Sequence, residues 1–100
     1  MPVLVCFDVD GTLDVTAGPV PLQRLYDLQS IGVKVAIVSP SGARLTDFPL
    51  FLTSDRDRNL RNARQWAENP PLCIYVSDNM GDRELSEMMG FTYVHPEDFR

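Results

Sequence analysis

The chain has 100 residues, 44% of them hydrophobic, and 14 acidic against 9 basic residues give a formal net charge of −5. That length suits a single domain spanning 1–100, and that apolar fraction suits a globular chain and excludes a disordered one. No apolar run approaches the ~20 residues of a membrane-spanning helix, and the acidic balance argues against non-specific nucleic-acid binding. The start lacks a basic region followed by a small-residue cleavage site, so the cytoplasm is the expected compartment.

Val3–Phe7 is a continuous apolar run, as expected of a strand buried on both faces. Asp8-Val9-Asp10-Gly11-Thr12 follows it directly, and Gly18-Pro19-Val20-Pro21 reads as a turn. Pro21 suits the first position of a helix whose face carries Leu22, Leu25 and Leu28, with Gly32 as its stop. Val33–Val38 predicts a second buried strand. Ser39-Pro40-Ser41-Gly42 breaks it and opens a short helix that Pro49 ends. Leu50–Thr53 is a weaker third strand. Leu60, Ala63 and Ala67 line one face of a helix closed by Asn69-Pro70-Pro71. Leu72–Val76 predicts a fourth strand. Leu85, Met88 and Met89 mark a helix before Gly90, and Phe91–Val94 is a short fifth strand.

This β-α-β-α-β-α-β-α-β order predicts a three-layer, Rossmann-like α/β fold: a parallel five-stranded sheet, right-handed crossovers, and helices on both faces. Open sheets of this kind bind ligands beyond the carboxyl ends of their strands. Asp8 and Asp10, Ser39, and Ser77-Asp78 all fall there, from segments far apart in sequence. Charged groups ending a buried strand need a partner, because an unpaired buried charge is costly. A divalent cation is one such partner, and a carboxylate nucleophile is one use for such a group. The spacing does not fit a calcium loop of the EF-hand type, in which glycine stands at the sixth position and glutamate at the twelfth. Here those numbers give Gly11 at the fourth position and Pro19 at the twelfth. A solvated turn rich in Asp and Gly is the plain alternative. Cys6 and Cys73 lie in apolar runs and read as small buried hydrophobes, with one disulfide allowed by parity.

These residues resemble the haloacid dehalogenase (HAD) superfamily of hydrolases, and the likeness runs from Val3 to about Phe99. Asp8-Val9-Asp10-Gly11-Thr12 is similar to that family's first motif, Ser39 to its second, and Ser77-Asp78-Asn79-Met80-Gly81-Asp82 to its fourth. The resemblance implies a Mg²⁺-dependent phosphatase that hydrolyses phosphomonoesters through an aspartyl-phosphate. It makes Asp8 the nucleophile and Asp10 the general acid and base. It assigns Mg²⁺ to Asp8, Asp10 (through its carbonyl), Asp78 and, through water or by orienting the ion's shell, Asp82. Ser39, Gly11 and Thr12 then serve the phosphate. The family's third motif is usually a lysine, and none stands between the third and fourth strands. Arg56 is the expected replacement, with Arg58 as rival. An acid at position 10 points to phosphoryl transfer over carbon–halogen chemistry.

Segments 13–19 and 52–56 are too short for an inserted cap domain, so the resemblance is to the capless type. An open site suits an exposed phosphate on a macromolecule, or a small phosphorylated substrate covered by a second subunit of an oligomer. Two other readings compete. One is a non-catalytic module that keeps the fold to bind phosphate or a protein partner. The other is a receiver-type signalling domain, in which the phosphorylated acid ends the third strand, where this chain offers only Asp55.

Overall fold

The computed structural model describes residues 2–40 and 44–99. Five parallel strands, β1 (Val3–Phe7), β2 (Lys34–Val38), β3 (Leu50–Phe51), β4 (Leu72–Val76) and β5 (Thr92–Val94), form one sheet in the order β3-β2-β1-β4-β5. The chain builds outward from β1 in one direction and then restarts from it in the other. The β1/β4 boundary is therefore the point where strand order reverses, the place such sheets form a crevice. Register brings Phe7 level with Ile37 of β2 and Val76 of β4, so the residues after all three strands emerge together.

Helices α1 (Leu22–Ser30), α2 (Arg56–Trp66), α3 (Asp82–Met88) and α4 (Pro96–Phe99) cover both faces. On one face Leu60, Ala63 and Ala67 of α2 pack with Leu4, Cys6, Ala36, Tyr75 and Phe91. On the other, Leu25 of α1 packs with Val5, Phe7, Val35 and Ile37, and Phe99 of α4 joins that cluster. The Phe99 ring meets Phe7 edge-on at 5.2 Å, so the terminal segment docks on the sheet face and not on its edge. Burial of each such Leu or Phe stabilises the fold by about 1.5–3 kcal/mol.

Local chemistry fixes the helix ends. Pro21 stands just before α1 and has no side-chain cap to offer; the Asp14 carboxylate accepts the Leu22 N–H at 3.1 Å instead. Asp55 caps α2, and after that helix Glu68 and Asn69 turn through positive φ before Pro70. The helix expected between Ser39 and Pro49 is absent from residues 44–48, which form turns; Ser41 and Gly42, its expected start, lie outside the described residues. Phe48 is pulled into the core there, which fixes the segment without a helix. The third strand is also shorter than expected, Leu50–Phe51, because it pairs only with the last two residues of β2. Both cysteines are free and buried. Among the described residues no helix is long and apolar enough to cross a membrane.

Candidate active site

Asp8 leaves the end of β1 between two neighbouring strands and is buried, with 6% of its surface exposed. Its backbone N–H still belongs to the sheet, donating to the Val76 carbonyl at 2.9 Å. The next residues fold back at once: the Thr12 and Leu13 N–H groups both donate to the Val9 carbonyl, with Gly11 at φ +71° between. Gly11 is required twice over. Its φ suits only glycine without strain, and a Cβ there would collide with the Asp78 carboxylate. Asp78 thus lies directly on the turn that follows Asp8. The Asp78 N–H donates to the Thr12 hydroxyl at 3.2 Å, joining the loops after β1 and β4.

The Asp8 carboxylate accepts the Val9 N–H at 2.9 Å and the Ser77 hydroxyl at 3.4 Å, and it also interacts with the Ser39 hydroxyl. Burial pushes this carboxyl above the usual Asp range. The Val9 N–H, the Arg56 charge and the Ser39 hydroxyl pull it back down, and the neighbouring Asp78 carboxylate adds to the rise. The result is a desolvated acid beside a second acid, only partly compensated by the groups around it.

Arg56 opens α2 and reaches into the same region. Its guanidinium pairs with Asp82 at the start of α3, and both side chains are mostly buried. Burial works against the Arg56 charge, but Tyr75, Asp82 and Asp8 around it more than restore it. Asp82 Oδ2 also accepts the Ser77 hydroxyl at 3.1 Å and the Tyr75 hydroxyl at 3.5 Å. Asp82 is therefore engaged on the protein side, by an arginine and two hydroxyls. Arg58, the alternative to Arg56, is exposed, and its N–H serves the α2 cap. Asp10 is exposed at the mouth of the site.

The six-residue segment from Ser77 to Asp82 is held by its own polar groups. The Asn79 N–H donates to the Ser77 hydroxyl at 3.1 Å, and the Gly81 N–H donates to the Asn79 side chain at 3.0 Å. The Tyr93 hydroxyl of β5 donates to the Ser77 carbonyl at 2.6 Å. Sequence reasoning missed what three of these groups do. Ser77 was placed at a strand end and in the fourth motif without a role of its own, yet its hydroxyl lies within reach of the carboxylates of both Asp8 and Asp82. Tyr75 and Tyr93 counted only as strand residues. Their signal was a hydroxyl on a strand expected to be buried, since a buried phenol needs a partner.

The structure thus brings Asp8, Ser39, Arg56, Asp78 and Asp82 to one end of the sheet, with Thr12 and Gly11 shaping the turn between. Among the described residues no three His, Cys, Asp or Glu side chains converge as a ready cation cage. The chain matches no family model, no curated protein and no solved structure.

Proposed function

We propose that the protein is a Mg²⁺-dependent phosphomonoesterase of the capless HAD-like type, working through an aspartyl-phosphate on Asp8. One observation carries this reading: a buried carboxylate at the sheet's switch point, hydrogen-bonded by a backbone N–H and two hydroxyls, between a guanidinium and a second carboxylate. A short 3-10 turn, Asp14–Thr16, is the only extra element between β1 and α1, which supports an open site without a cap domain.

The donor set suits Mg²⁺. All the groups are oxygens, burial disfavours the charge on Asp8, and Mg²⁺ is commonly bound by one or two carboxylates with water and phosphate completing its shell. A full cage of acids is therefore not required. Asp8, the Asp10 carbonyl and Asp78 would hold the ion. When bound it would neutralise the acids and stabilise charge on the phosphoryl oxygens. Asp82 has a different part: it is the anchor that orients Arg56, and through Ser77 it touches Asp8.

In the first step an Asp8 oxygen attacks phosphorus, the bond from phosphorus to the leaving oxygen breaks, and Asp10 gives its proton to that oxygen. In the second, Asp10 takes a proton from water as the water oxygen attacks phosphorus. The Asp8–phosphorus bond breaks and releases phosphate. Ser39 and Arg56 donate hydrogen bonds to the phosphoryl oxygens, where negative charge is spread in the transition state. The Thr12–Asp78 link keeps the two acid loops in register through both steps.

The competing reading is a non-catalytic phosphate- or partner-binding module, favoured by the engagement of Arg56 with Asp82 instead of Asp8. Hydrolysis of p-nitrophenyl phosphate separates the two. The enzyme reading expects turnover that EDTA removes and Mg²⁺ restores, and that Asp8→Asn abolishes. Full activity in Asp8→Asn overturns it.

A further inference from the structure

Charge is divided unequally along the sheet axis. The segments from each strand's carboxyl end through the first turn of the following helix are 8–24, 39–40 with 44–49, 52–58, 77–84 and 95–98. They hold eleven acids and five arginines, a balance of −6. The other described residues hold three acids and three bases, a balance of zero, and Arg100, which lies outside the described residues, brings the net to −5. Several of these acids have a local use: Asp55 caps α2, while Asp57, Glu84, Glu97 and Asp98 sit in first turns, where they complement the helix dipole. They stand beyond the same strand ends as the site whatever their local use. A bound Mg²⁺ and Arg56 would compensate for a single phosphate, leaving a rim that repels any further negative charge on the same molecule.

Two exposed apolar side chains stand on the loops that carry the acids. Val15, in the 3-10 turn after Asp10, is 54% exposed, and Met80, between Asp78 and Asp82, is 68% exposed. Lysine-like and arginine-like groups combine an aliphatic stem with a cationic head, and so satisfy an apolar contact and an acidic rim together.

We infer that the site selects phosphomonoesters whose leaving group is cationic, an ammonium or guanidinium carried on aliphatic stems. This inference rests on the phosphatase reading above and names its substrate class. The acids do not make the site; they set which leaving groups reach it. The chemistry occurs in two sources, a phosphorylated side chain within a basic polypeptide and a small amino-alcohol phosphate. Phosphates on polyanions, such as nucleic-acid ends, are disfavoured.

The test measures kcat/KM on two matched pairs with Mg²⁺ at low salt. The first is one phosphoserine peptide flanked by lysine and arginine against the same peptide flanked by glutamate. The second is O-phosphoethanolamine against phosphoglycolate. We expect the cationic member to be preferred about tenfold or more in at least one pair. That preference should shrink as added KCl shortens the screening length to below ~10 Å. Preference in the peptide pair alone assigns the polypeptide source, and in the small pair alone the amino-alcohol source. The double variant Glu84→Lys/Glu97→Lys should lower the preference several-fold while p-nitrophenyl phosphate turnover stays unchanged. Equal or better turnover of the anionic members, or a preference indifferent to salt, overturns the inference and leaves the phosphatase reading standing. No turnover of p-nitrophenyl phosphate or of any pair overturns both.

Discussion

At the amino ends of the strands, Leu4, Val35 and Cys73 are buried among apolar neighbours, while Ile31, Trp66, Leu72 and Met88 around them stand exposed. At the carboxyl ends the pattern inverts: Asp8, Thr12, Ser39, Ser77 and Asp82 are buried, and the rim is acidic. A core built for stability alone has no use for three hydroxyls and two carboxylates out of water, since each must find a partner or cost free energy. The difference locates the two tasks of the molecule. One end and the middle of the sheet hold the fold together, and the other end carries polar groups that the fold must tolerate.

Substitutions at the two ends should therefore behave differently. The largest effect expected is on chemistry: Asp8→Asn should lower phosphatase kcat by about 10⁴-fold or more, read by p-nitrophenyl phosphate turnover. At the opposite end of the same strand, Leu4→Ala should cost about 2–5 kcal/mol of stability through the lost contacts and the cavity left behind. Per folded molecule its kcat should stay within about twofold; denaturant titration and active-site counting check both statements.

Arg56→Ala should affect both properties, because it leaves Asp82 buried without its cation. About 3 kcal/mol of stability should go with the activity, seen as a lower urea midpoint. Loss of activity with an unchanged midpoint would break the proposed link between Arg56 and Asp82.

A smaller effect runs in the opposite direction. The folded-state Asp8 carboxyl is raised, so its protonated form is favoured by folding. Its contribution to stability is full below the unfolded value of about 3.9 and is lost as pH rises through the raised folded value. At neutral pH in EDTA, ionised Asp8 therefore destabilises the fold, and Asp8→Asn should raise Tm by a few degrees, at roughly 4–8 °C per kcal/mol. The gain should vanish as pH falls toward 4, which thermal melts at several pH values can follow. The smallest effect is expected at the exposed Arg83–Glu87 pair, 3.6 Å apart on α3, where Arg83→Ala should change stability by about 0.5 kcal/mol or less.

The same division explains what could be read from the chain itself. Strands β1 and β4 were legible to the residue, because uninterrupted apolar runs bounded by a proline on one side and a polar residue on the other have few other solutions. So was the gathering of Asp8, Ser39 and Asp78 at one end, which follows from parallel strand order alone. The region after β2 was not legible: Pro49 seemed to end a helix, but the burial of Phe48 decided the path, and tertiary packing leaves no local pattern. The partners of Asp82 also escaped. Its spacing from Asp78 suggested a place near a cation, and it says nothing of Arg56, Ser77 and Tyr75, which come from α2, the loop after β4 and β4 itself and are joined only by the fold. Hydroxyl partners such as Tyr93 to the Ser77 carbonyl are invisible for the same reason.

The central claim is that Asp8 carries the phosphoryl group, and trapping it there is the most direct test. The protein would be mixed with a phosphomonoester and Mg²⁺, quenched in acid during turnover, reduced with borohydride and digested for mass spectrometry. The account predicts homoserine at position 8, dependent on both substrate and Mg²⁺ and absent in Asp8→Asn. Turnover with unmodified Asp8, or with reduction found at Asp55 or another acid, would contradict it.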